Sequence, residues 1–166
     1  MIATRSFIEA VHQFAGHGTP RPEFFKAKSD FLQQPLTRSG IQALLHALPW
    51  VPGGVVVSFD PYGGAINRLP SDATAFCHRE PTLACIQYHS AWQTPAATAQ
   101  RVHGLRALYA AMRPYMSGGA YVNYCDLDLQ NWSEAYWGRN FARLTQIKRA
   151  YDPENIFQHP QSIPVG

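Results

Sequence analysis

Charge is what this sequence has least of. Lys, Arg, Asp and Glu supply only 15% of its 166 residues, which is sparse for the surface of a self-sufficient domain. Either part of that surface is covered by another chain or by further sequence, or it is built from Gln, Ser, Thr, Asn and His. The net charge of +3 is too weak to argue for nucleic acid, which needs a concentrated basic stripe. Cysteine is scarce as well. Cys77, Cys85 and Cys125 are odd in number and form no close pair. That argues against a disulfide framework and favours a reducing, cytoplasmic setting. No stretch is long and apolar enough to span a bilayer, so no membrane partner is expected. The N-terminal run "MIATRSFIEAVHQFAGHG" reads as an amphipathic helix interrupted by Glu9 and His12, not as a secretion signal.

Phosphate-binding glycine signatures are missing too. The glycine pairs at 53–54, 63–64 and 118–119 fit neither GxGxxG nor GxxxxGKS/T and read as turns. Cys77, His78, Cys85 and His89 match no strong zinc spacing, so no metal site is expected. Asp126 and Asp128 share one face of an expected strand. Such a pair is more often a solvated edge or a loop cap than a cation site. No GxSxG nucleophile elbow is present.

What the chain does have is apolar residues, at 46% enough to bury a core, and clear periodicity. "SFIEAVHQFAG" predicts a short helix, "GHGTPRPE" a loop and "FFKAKSDFL" a strand. Ile41, Leu44, Leu45 and Leu48 predict a helix that Pro49 stops. "VVVSFDP" predicts a strand, with "YGGAINRL" completing a hairpin-like pair, and "LACIQYHSAW" another strand. A long helix opens at Thr94-Pro95, with Val102, Leu105, Leu108 and Met112 as its buried stripe. "AYVNYCDLD" predicts a strand with Tyr121, Asn123 and Cys125 on one face and Val122, Tyr124 and Asp126 on the other. "RNFARLTQIKRAY" predicts the last helix, with Phe141, Leu144 and Ile147 along one face. Lys148 and Arg149 complement the dipole near its end, and Asp152, which precedes a proline, breaks it. The expected fold is α+β: an antiparallel sheet with helices packed on one face, plus a C-terminal helix and an irregular tail.

Three segments carry a more specific signal. They are "FDPYGGAINRLPSDATAFCHRE" at 59–80, "IQYHSAW" at 86–92, and "YVNYCDLDLQNWSEAYWGRNFARLTQIKRAYDPENIFQHPQSI" at 121–163. Their order and wording resemble the C-terminal portion of the berberine-bridge-enzyme-like FAD-linked oxidases, within the vanillyl-alcohol-oxidase-type flavoproteins. Tyr136, Gly138, Asn140, Arg143, Leu144, Lys148, Tyr151, Asp152, Pro153, Asn155 and Phe157 match the family pattern, and the resemblance runs from about residue 25 to 163.

The resemblance implies a partial substrate-binding domain over 1–120. A C-terminal segment, 121–166, would pack on an FAD-binding domain that this sequence does not contain. It implies an FAD-dependent oxidoreductase acting on a small-molecule substrate, by hydride transfer from an alcohol, amine or related carbon. Its partner would be an FAD-binding domain or chain. Tyr121 is the implied base or substrate anchor, and Gln87 faces the substrate; these two are the catalytic candidates. Asn123 and Tyr124 are the cofactor-binding candidates. Two positions before Gln87, relatives often carry a Glu or Lys that helps remove a proton. This chain has Cys85 there, and Cys77 where proline usually precedes "HR". A thiol needs a strongly perturbed pKa to act as base. The alternative reading is a catalytically silent remnant, a scaffold that binds a partner or nothing.

Overall fold

The computed structural model describes residues 4–15 and 23–166. Three strands form the sheet: β1 (Phe24–Leu32), β2 (Val56–Pro61) and β3 (Ala84–Trp92). Their order is β1-β3-β2, and both pairings are antiparallel. The helices are α1 (Phe7–Ala15), α2 (Arg38–Ala47), α3 (Ala65–Arg68), α4 (Thr98–Met112), α5 (Trp132–Trp137) and α6 (Phe141–Tyr151). This is the expected α+β arrangement. The loop expected at 16–23 lies, apart from Glu23, outside the described residues.

The alternation of β3 sorts the sheet into two faces. Ala84, Ile86 and Tyr88 point to the helices, where they meet Leu32 of β1, Val51, and Leu105, Leu108 and Met112 of α4. The α4 stripe recurs every three or four residues, so these side chains fall on one side of the helix. Gly104 lets α4 come close, since a Cβ there would meet Pro52 Cδ at 2.5 Å and Val51 Cα at 3.2 Å. Helix α2 packs on the same core through Ala43, Leu44 and Ala47, joined by Leu48 just beyond its end. Ile41 and Leu45, expected in its buried stripe, are exposed instead. Thr37 caps the helix, its side chain accepting from Gly40 N at 3.2 Å.

The expected hairpin at 55–69 does not form. β2 pairs with β3, and "AINR" coils into α3. Gly63 and Gly64 both take positive φ, 158° and 51°, so the chain turns out of the sheet before it can return beside β2.

The larger correction concerns residues 121–129, which are turns, not a strand. Their backbone groups are held largely by side chains. Tyr121 N donates to Ser29 Oγ at 2.8 Å, and Asp126 N to the Tyr136 hydroxyl at 2.9 Å. Gln161 of the tail donates to Asp126 O at 2.9 Å and Leu129 O at 3.3 Å. The segment wraps the edge of β1. Tyr121 lies over the face away from the helices, while Asp126 reaches the helix face, where it meets Lys26 and Lys28, each at 2.5 Å. Asp128 pairs with Arg106 of α4 at 2.6 Å. The two aspartates are therefore neither a solvated edge nor a cation site; lysine ammoniums already neutralise them.

Helix α5 had no counterpart in the sequence reading. It buries Ala135 and Tyr136 with Ala120 and Leu129 in a second small core. Asn140 follows, donating to Ser71 O at 2.7 Å and Thr74 O at 3.1 Å and so holding the 71–75 loop. At the end of α6, Asp152 accepts from Ile156 N at 2.7 Å and Phe157 N at 3.1 Å and pairs with Lys148. No residue of α6 is fully buried: of its expected apolar face Phe141, edge to face with Trp132 at 5.6 Å, and Leu144 are half-buried, and Ile147 is exposed.

Two expectations follow for stability. Lys28 is buried and pairs with Asp126 at 2.5 Å and with Asp128 at 3.2 Å, so removing both carboxylates strands a buried ammonium and costs about 3–5 kcal/mol, whereas Asp126→Ala alone costs less because Asp128 remains; urea unfolding measures this. Asp30 is fully buried beside Arg113 at 2.6 Å. Burial pushes its carboxyl up to about 7 against the pull of Arg113. The folded chain therefore holds a proton that the unfolded chain releases at about 4. This group's contribution is fully present below about pH 4 and is lost as pH rises through about 7. The urea midpoint of the wild type should fall with pH across that window more steeply than that of Asp30→Asn. Parallel curves refute the assignment.

Candidate functional site

The face of the sheet away from the helices carries a different set of side chains. Strand register aligns them in rows: Ala27, His89 and Val56; Ser29, Gln87 and Ser58; Phe31, Cys85 and Asp60. Gln87 thus sits in the central row, half-buried, between two serines. Its position on this face agrees with the sequence reading.

One end of the face is roofed by aromatic rings. His78 stacks on Phe31 with centroids 3.9 Å apart, and Tyr62, Phe76 and Tyr121 close around them at 5.8–6.4 Å from Phe31. Gly119 permits this, because a Cβ there would meet the His78 ring at 2.6 Å. Burial lowers the His78 pKa to about 4, so the imidazole is neutral at neutral pH. Tyr121 and Tyr124 meet edge to face at 5.0 Å.

Asn123 and Tyr121 come together, though not as neighbours on one strand face. The turn brings Asn123 Nδ2 to the Tyr121 hydroxyl oxygen at 2.8 Å. With its oxygen accepting from the amide, the phenol keeps its own proton free to donate outward. Tyr121 and Tyr124 are half-buried and Asn123 is exposed. The structure therefore groups Tyr121, Asn123 and Tyr124 in one turn, with Tyr121 tied to the Ser29–Gln87 row through the Ser29 hydroxyl.

Burial is the first cause of each pKa shift at this site. It pushes the Tyr62 phenol up to about 12, with Cys85, Tyr121, Asp60 and Tyr124 adding to it. It pushes the Cys85 thiol up to about 12, with Asp60 and then Asp30 adding. Tyr124 moves up for the same reason, Asp60 again contributing. A thiol held neutral in this way is neither a base nor a ready nucleophile.

The sequence reading did not single out Tyr62, His78 or Asp60 for the site. Tyr62 and Asp60 stand in the "FDPYGG" motif, and period-two alternation from Ser58 puts Asp60 on the face of Gln87 once register is known. A cleft of about 750 Å³ opens between Gln33–Pro35 and the turn leading into α3, but its lining includes none of Tyr121, Gln87, Asn123 or Tyr124. Among the described residues no group of three His, Cys, Asp or Glu side chains could hold a metal, and no helix is long and apolar enough to cross a membrane.

Cysteine labelling tests the electrostatics. Cys125 is exposed, Cys77 half-buried and raised by burial, and Cys85 buried. Alkylation of the native chain at neutral pH, read by mass spectrometry, should modify Cys125 first and Cys85 last. Unfolding should abolish the order, and early labelling of Cys85 contradicts the geometry.

Comparison with known proteins matches residues 120–164 to the family described as berberine and berberine like. An uncharacterised FAD-linked oxidoreductase of Bacillus subtilis, YgaK, is 35% identical over 165 residues, 99% of this chain and 36% of its own length. A monolignol oxidoreductase of Arabidopsis thaliana, berberine-bridge-enzyme-like 13, is 35% identical, covering 96% of this chain and 34% of its own. The structure of berberine bridge enzyme from Eschscholzia californica superposes with a TM-score of 0.79 at 31% identity, covering 86% of this chain and 33% of that one. The chain spans about a third of the length of the relatives it matches. Motif, sequence and fold agree that the chain corresponds to a C-terminal portion of the berberine-bridge-enzyme-like family of FAD-linked oxidoreductases.

Proposed function

We propose that this chain forms the substrate side of an FAD-dependent oxidoreductase that takes an alcohol, the class that the monolignol oxidoreductase relative is named for, and that it works only with an FAD-binding domain. The observation that carries the reading is the division of the sheet. One face is covered by α2 and α4, whereas the other presents Gln87, Ser58 and Asp60, with a tyrosine–asparagine pair tied to its β1 side through Ser29. Support for a protein partner comes from α6 and the tail, where Ile147, Tyr151, Ile156 and Phe157 are exposed. Such apolar surface usually marks an interface.

The side chains suit one part of the cofactor. Asn123 and the phenols of Tyr121 and Tyr124 offer donors and acceptors for a planar heteroaromatic ring. The glycine turns at 53–54 and 63–64 offer no diphosphate cradle, so the rest of FAD falls to the partner. FAD, when bound, supplies the acceptor for a hydride. This chain's residues bind and orient the substrate. Gln87 offers an amide to the substrate hydroxyl, Tyr121 donates the hydrogen that Asn123 leaves free, and the aromatic roof over Phe31 excludes water at one end. Positioning of this kind contributes to rate by fixing reactive geometry.

One observation favours the silent-scaffold reading. Cys85 stands where relatives often carry a proton-accepting residue, and it is buried and neutral. The two readings part in one experiment. The chain replaces the corresponding third of the Bacillus subtilis relative, and the purified assembly is mixed anaerobically with a monolignol and a panel of alcohols. A yellow assembly whose flavin is bleached by an alcohol is the expected result, with Tyr121→Phe slowing bleaching by about 10²-fold. An assembly without flavin, or one whose flavin no alcohol reduces, overturns the proposal.

A further inference from the structure

The absence of a usable base at Cys85 raises the question of where the substrate proton goes. Asp60 is the Cα partner of Cys85 across the β2–β3 ladder, so its side chain leaves the sheet on the same face one strand away. It is exposed, and no hydrogen bond or ion pair engages its carboxylate among the described residues. The groups facing it come from several elements: Cys85 on β3, Tyr62 just after β2, and Tyr124 in the 121–129 turn, each feeling its charge. Tyr121 adjoins the last two, and Gln87 and His89 lie farther along β3. The sheet positions of this face include no lysine or arginine. Lys26, Lys28 and Arg106 are spent on the helix side, pairing with Asp126 and Asp128. Arg79 is tied to Ile66 O and Thr74.

We infer that Asp60 is the general base of this site, standing across the strand ladder from Cys85. The inference rests on the functional reading above. A phenolate base needs a cation beside it, whereas this face sets a carboxylate beside the phenols. In the step, the substrate O–H bond breaks and its proton passes to an Asp60 oxygen. The O–H electron pair becomes the second bond of the C=O as the C–H bond on the same carbon breaks, and the hydride so released would go to the flavin, the two-electron oxidant.

Two measurements decide it. In the 166-residue chain alone, Asp60→Asn removes the charge facing Tyr62 and Tyr124, so the ionisation of these two phenols, read by site-labelled NMR, should shift to lower pH; unmoved phenols take Asp60 out of the site and overturn the inference without any cofactor. In the flavin-loaded assembly, Asp60→Asn should slow flavin bleaching by the best alcohol of the panel about 10²-fold or more. Asp60→Glu should retain most of the rate, and added formate should partly rescue Asp60→Ala. Bleaching by Asp60→Asn within threefold of wild type overturns the base assignment alone. An assembly that takes up no flavin, or whose flavin no alcohol reduces, overturns the functional reading and the base assignment with it.

Discussion

The structure depends on a short wrap of chain around one sheet edge, fixed by buried charge. Lys26 and Lys28 leave β1 on the helix face, where lysines are unwelcome unless paired. Asp126 meets both, and Asp128 joins them to Arg106 of α4. The ammoniums cannot be buried without the aspartates, and the aspartates cannot reach them unless the chain turns over the edge of β1. That turn carries Tyr121, Asn123 and Tyr124 to the other face. One ionic network thus closes a sheet edge and sets the position of the candidate site.

The most specific sequence motif proves largely architectural. Tyr136 accepts from the backbone of Asp126, Asn140 holds the 71–75 loop, and Asp152 caps the end of α6. Gln161 of the tail binds the same turn as Tyr136. These polar side chains satisfy backbone groups that no strand or helix satisfies. Their spacing specifies how an irregular segment is held, and the chemistry is left to the few side chains the segment displays.

Regular elements were legible because their patterns have local causes. The strands at 24–32 and 84–92 and the α4 stripe follow from period and branching alone. Residues 121–129 were misread because alternation of polar and apolar residues is also what a turn clamped from both sides needs. The partners that decide between the two, Lys28, Ser29, Tyr136 and Gln161, lie 10 to 98 residues away in sequence. Ile41 and Leu45 were misplaced for a related reason: helical period identifies an apolar stripe but not which part of it meets a core. The candidate residues Tyr121, Gln87, Asn123 and Tyr124 came from motif resemblance. Asp60 escaped because its place beside Cys85 depends on a strand register that no local pattern encodes.

Register also explains how a site can tolerate the loss of a key side chain. Neighbouring strands lie about 4.8 Å apart, and directly opposed residues share a face. A functional group moved from β3 to its partner on β2 therefore stays on the same surface, displaced by roughly one strand spacing. A substrate held through a flexible contact can follow such a shift, whereas a move of one residue along a strand would send the group into the helix-packed core. With Asp60 as the base inferred above, its place opposite Cys85 would be such a lateral exchange. It leaves Ile86 and Tyr88 in the core undisturbed and keeps a carboxylate on the surface that Tyr121 and Gln87 share.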